Sequence, residues 1–128
     1  MTTPIRAVVA ATDFSFSAHR AARRAGVLAK ELGARLDLLH VVDSSTAQAL
    51  LRRSPAVEVE QPLRLEAKRA LDSLAEDIVA AGGVVNGRVL REGRVMDEIL
   101  SVSASSDLLV LGPRGVNPLR DFILGSTA

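Results

Sequence analysis

The chain has 128 residues, 48% of them apolar, a formal charge of +1 and no cysteine. That length suits one domain around one buried core. The missing cysteines exclude disulfides, thiol catalysis and cysteine-ligated zinc, and the near-neutral balance gives no long-range pull toward nucleic acid or an anionic membrane.

Aromatic residues make up only 2% of the chain, so the core must come from Ala, Val, Leu and Ile. His19 and His40 are the two histidines, too few for more than a thin metal site. No apolar run approaches the ~20 residues of a membrane span. The opening MTTPIRAVVAATD lacks the long apolar stretch of a secretion signal. A soluble cytoplasmic protein with no nucleic-acid or membrane partner is the expectation.

In chain order, residues 5–11 (IRAVVAA) form a short apolar, β-branched run that predicts a strand buried on both faces. Ala18, Ala21, Ala22, Ala25, Leu28, Ala29 and Leu32 then recur at three- and four-residue spacing, one stripe of a helix. Ser15 or Ser17 can cap its start and Gly33 can end it. Residues 35–42 (RLDLLHVV) predict a second strand. Residues 43–62, interrupted by Pro55 and Pro62, are expected to connect, with Pro62 in the first turn of the next helix. Leu63, Ala67, Ala70, Leu71, Leu74, Ile78 and Ala81 mark that helix's inner face, and Gly82-Gly83 stop it. Residues 84–91 predict a third strand, which Asn86-Gly87 can bend. Val95, Met96, Ile99, Leu100 and Ser103 outline a third helix, and 107–111 a fourth, very apolar strand.

Strand–helix alternation of this kind predicts an α/β domain with an open, mostly parallel twisted sheet and helices on both faces. In such sheets ligands sit beyond the carboxyl ends of the strands, where the winding reverses. With the first strand central and the fourth beside it, two loops meet there: ATDFS, offering Thr12 and Asp13, and GPRG. Glycine lets an anion approach backbone N–H groups that a Cβ would shield. Arg114 and Arg120 add charge, and Gly125-Ser126-Thr127 can open a helix whose free N–H groups face the same anion. Neither a P-loop nor the G-x-G-x-x-G fingerprint is present. What stands is G-x-x-G, nine residues, G-S: Gly112, Gly115, Gly125 and Ser126.

The bland readings stand beside these. GPRG alone is a tight turn. Asp13 can cap the first helix as well as touch a ligand. His40 is expected to be packed or hydrogen-bonded rather than a ligand, and His19 to face solvent.

The G-x-x-G-x9-G-[ST] spacing resembles the nucleotide-binding members of the universal stress protein family. ATDFS, LHVVD and DLLVLGPRG are similar to that family's first, second and fourth strand endings, and the likeness covers nearly the whole chain. The resemblance implies strand order 3-2-1-4-5 and an adenine nucleotide (ATP, AMP or another), possible magnesium, and a homodimer. It assigns Thr12 and Asp13 to the nucleoside, the backbone of Val41 to adenine, and Leu111 to a place along the nucleotide. Gly112, Arg114, Gly115, Gly125, Ser126 and Thr127 would surround ribose and phosphates. Pro113 departs from the pattern and stiffens the loop. The family's last helix and fifth strand are expected to be missing, giving order 3-2-1-4 with the outer edge of the fourth strand unpaired. No convincing general base lies near the loop, so at most slow ATP hydrolysis is expected. The implied role is a nucleotide-binding sensor or regulator. The alternatives are an interaction module of the same fold that binds no nucleotide, and an enzyme acting on a phosphorylated metabolite.

Overall fold

The computed structural model of the protein describes residues 4–44, 60–112 and 122–125. The elements are β1 (Ala7–Ala11), α1 (Phe16–Leu32), β2 (Arg35–Asp43), α2 (Glu60–Ala80), β3 (Gly87–Gly93), α3 (Val95–Ser103), β4 (Leu108–Leu111) and β5 (Phe122–Gly125). They form one sheet in the order β3-β2-β1-β4-β5. The first four strands are parallel, as the alternation requires.

Right-handed crossovers decide which face each helix takes. The winding moves from β1 through β2 to β3, then jumps back across β1 to β4. Accordingly α1 and α2 share one face, packing Ala22, Ala25, Ala29, Leu71 and Ile78 on Val8, Leu36 and Leu38. The reverse face packs Ile99 of α3 on Val9, Leu39, Val41 and Leu109. Leu36, Leu38, Leu39, Leu71 and Ile78 are fully buried; each contributes about 1.5–3 kcal/mol by leaving water. The sheet therefore reverses its winding between β1 and β4, and that is where a crevice opens.

Local signals place the ends of α1. Ser15 is its N-cap, its hydroxyl accepting from the N–H of Ala18 at 3.2 Å. Gly33 ends it with φ +67, a left-handed turn that costs a Cβ-bearing residue about 1–2 kcal/mol. Pro62 lies in the first turn of α2, where its missing N–H costs nothing. The expected connection at 43–62 falls largely outside the described residues.

Two expectations need correction. The third strand starts at Gly87 rather than at residue 84. Asn86 replaces the first rung: its N–H donates to the Leu36 carbonyl at 2.7 Å, and its Oδ1 accepts from the Leu36 N–H at 2.8 Å. Val84 and Val85 keep their place against the core without joining the ladder. Second, the outer edge of β4 is not bare, and a fifth strand is present. Phe122–Gly125 pairs antiparallel with β4, Phe122 opposite Leu111 and Gly125 opposite Leu108. Phe122 and Ile123 have high strand propensity, and pairing this segment satisfies the row of N–H and C=O groups that β4 would otherwise expose.

Side chains fasten both ends of the sheet. At the amino end Asp107 accepts from the N–H groups of Arg6 and Ala7 at 2.9 and 3.0 Å. Those two bonds, helped by the Arg6 charge, hold its carboxyl below the ordinary aspartate range. At the border strand, Arg88 pairs with Asp72 at 3.1 Å and Glu92 with Arg64 at 2.9 Å, tying β3 to α2.

Candidate nucleotide site

The crevice forms because β1 is shorter than β2 at its carboxyl end. The β1–β2 register closes at Ala11 opposite Leu39, whereas β2 runs on to Asp43 beside β3. Thr12 adds one last bond, its N–H donating to the Leu39 carbonyl at 2.8 Å. Backbone groups alternate sides along a strand. Leu39 faces β1, so His40 faces β3, and Val41 turns its N–H and C=O back to the side where β1 has ended. A donor and an acceptor thus stand side by side at the crevice, the pattern that the edge of a purine matches.

The loop after β1 makes a sharp turn into α1. Phe14 has φ +64, a left-handed conformation costing about 1–2 kcal/mol for a residue with a Cβ. Such strain persists only where neighbouring contacts fix it. Here the Phe14 N–H donates to Thr12 Oγ1 at 3.0 Å and the Ser15 N–H to Asp13 Oδ1 at 2.9 Å. The turn leaves Asp13 exposed at the rim while Thr12 is buried. Asp13 therefore shapes the approach to the helix, and Ser15 provides the cap.

One cleft gathers Thr12, Asp13, Val41, Leu111 and Gly112, with His40 beside them and Val95 and Ile99 of α3 forming an apolar wall. Five of the ten residues singled out from sequence thus come together. The cleft offers a paired backbone donor and acceptor, a carboxylate, a hydroxyl and flat apolar walls. That set suits a planar heterocycle carrying hydroxyl groups.

Of the other five, Arg114, Gly115, Ser126 and Thr127 lie outside the described residues. Gly125 is described, and it stands opposite Leu108, four residues back along β4 from Gly112, or about 13 Å. It ends the strand Phe122–Gly125. Gly112 also has a packing reason to be bare. A Cβ there would lie 2.6 Å from Ala18 Cα, 2.8 Å from Ala18 N and 3.0 Å from Ser17 C. Its bareness lets the backbone press against the start of α1. A Val at this position would therefore strain the fold, so that substitution is no clean probe of binding.

Sequence reasoning undervalued two residues. His40 was expected to be hydrogen-bonded, and it is: its Nδ1 lies 2.8 Å from the Thr12 carbonyl oxygen. Its ring centroid also lies 4.4 Å from that of Phe14. The signal was a polar residue amid the apolar second strand. Phe14 gave none, because a left-handed aromatic residue has no sequence signature. His19 lies 3.5 Å from Asp77 across the two helices, with partial exposure.

No curated protein sequence matches the chain. Among solved structures, universal stress protein UspA from Lactobacillus plantarum superposes with a TM-score of 0.73 at 22% identity, covering 98% of this chain and 89% of that one. The hypothetical protein PH0823 is 32% identical, with a TM-score of 0.65 over 87% of this chain and 78% of that one. A universal stress protein solved in complex with cAMP gives 0.62 at 22% identity, over 84% and 72%. Among the described residues no helix is long and apolar enough to cross a membrane. The profile of the universal stress protein family matches residues 4–128, and the chain belongs to that family.

Proposed function

We propose that the protein binds an adenine nucleotide in the cleft between β1 and β4 and acts as a nucleotide-dependent sensor or regulator rather than as an enzyme. The observation that carries this reading is the overhang of β2. It leaves the amide and carbonyl of Val41 in the same cleft as Asp13, so a base edge and ribose hydroxyls each have a partner there. Thr12, Leu111 and Gly112 complete the walls. The cAMP complex of a similar protein supports the same class of ligand. Arg114, Gly115, Ser126 and Thr127 are the proposed phosphate contacts, ATP with magnesium being the first candidate. Work in the cytoplasm, as a dimer, belongs to the same proposal.

A second reading has its own observation. Gly112 is occupied by helix packing and Gly125 lies at the far end of β4, which favours an interaction module that takes no nucleotide. One experiment separates the two. The purified protein is extracted for released nucleotide, then melted with and without Mg-ATP, AMP and cAMP. Ligand at 100 times Kd should add about 2.7 kcal/mol, and Asp13→Ala should reduce that gain by more than the small loss in ligand-free melting that follows from freeing the Ser15 N–H. No gain with any of the three supports the interaction module.

A further inference from the structure

The β1–α1 loop is held from inside and from outside. Inside, Thr12 Oγ1 and Asp13 Oδ1 accept the N–H groups of Phe14 and Ser15. From outside comes His40, on a different strand. A carbonyl oxygen only accepts, so the 2.8 Å contact to Thr12 means that His40 carries a hydrogen on Nδ1 and donates it. The same ring supports Phe14 at 4.4 Å between centroids, against the one residue with a Cβ among those described that holds positive φ. An apolar side chain would fill the space equally well; the donated hydrogen bond is what packing alone does not require.

His40 also directly precedes Val41 in β2. Its side chain reaches the loop bearing Asp13, while the next residue presents its backbone to the crevice. We propose that His40 is a positioning residue: it clamps the strained loop so that Asp13 is held at a fixed offset from the Val41 amide. The functional half of this inference rests on the adenine-nucleotide reading; the clamp itself does not. The two anchors belong to different elements, and His40 is the cross-tie that makes their spacing a property of the fold. A ligand spanning both then meets a preformed pair and need not order the loop itself.

The test uses His40→Phe, which keeps a ring against Phe14 and removes the donor, and His40→Gln, which restores a donor. In the ligand-free protein, amide exchange at Phe14 and Ser15 should rise about tenfold in His40→Phe while Val9 and Leu38 are unchanged, with protection partly recovered in His40→Gln. Nitrogen NMR of the unmutated chain should show the Nδ1-protonated tautomer. Adenosine affinity should fall about tenfold in His40→Phe, but by less than about twofold when Asp13→Ala is already present, because the histidine acts through that carboxylate. Unchanged protection in His40→Phe, an Nε2-protonated ring, or an equal loss of affinity on the Asp13→Ala background would overturn the proposal. Should the unmutated chain bind neither adenosine nor ATP, the nucleotide reading falls, and exchange and tautomer alone decide whether the clamp exists.

Discussion

The two ends of β4 hold two glycines that look alike in sequence and differ in use. Gly112, at the carboxyl end, is pressed on the backbone of Ser17 and Ala18. Gly125 lies opposite Leu108 at the amino end, in an antiparallel border strand. Motif spacing treats them as two halves of one anion grip. The structure gives the first a packing duty and sets the second a strand's length away. A bare residue can be needed because something else occupies the space, and spacing alone does not reveal what.

The largest expected effect tests that difference. Gly112→Val should cost about 3 kcal/mol, since the atoms it meets belong to the backbone and do not rotate away. Denaturant or thermal unfolding should register it as a fall of roughly 10 °C in Tm. A stable Gly112→Val protein would return the glycine to a ligand role. Next in size is Ser15→Ala, which leaves the Ala18 N–H without its cap beside the same contact. Urea unfolding should show a loss of about 1 kcal/mol. Gly125→Val should do the reverse, raising stability by about 0.5–1 kcal/mol as strand backbone loses its excess freedom. If it instead weakens nucleotide binding at unchanged Tm, Gly125 belongs to the site as the spacing suggests.

The smallest effect at neutral pH sharpens the amino end of β4, where Asp107 fastens β1. Its carboxyl titrates below the ordinary range because the N–H groups of Arg6 and Ala7 bind its charged form. A group whose folded pKa is depressed contributes stability that is fully present above the unfolded pKa. That contribution is lost as pH falls through the folded value. Asp107→Asn should therefore melt slightly lower at neutral pH and show a shallower decline under acid. Parallel acid profiles for the two proteins would remove Asp107 from the account.

Most of the architecture was readable because it follows from periodicity. The alanine stripe of α1, the Ser15 cap and the Gly33 stop are local signals, and each acts where it stands. Alternation and handedness gave the parallel sheet with helices on both faces, and the family resemblance supplied the strand order. The misplaced start of β3 has a local cause as well, a side-chain amide replacing a rung. β5 was missed for a different reason. Its residues sit inside a motif, so their strand propensity was read as loop. Of the cleft's lining, Thr12 and Asp13 were legible because they are adjacent in one run at the end of a strand. What escaped depends on three dimensions at once: the left-handed Phe14, the reach of His40 into the neighbouring loop, and the backbone filling the space beside Gly112.

The charged border strand has a consequence for assembly. Arg88, Arg91 and Glu92 stand along β3, two of them engaged with α2. A foreign strand docking there would have to strip water from these groups and disturb their pairings. That rim of the sheet resists growth, whereas beyond Phe122–Gly125 no further strand stands among the described residues.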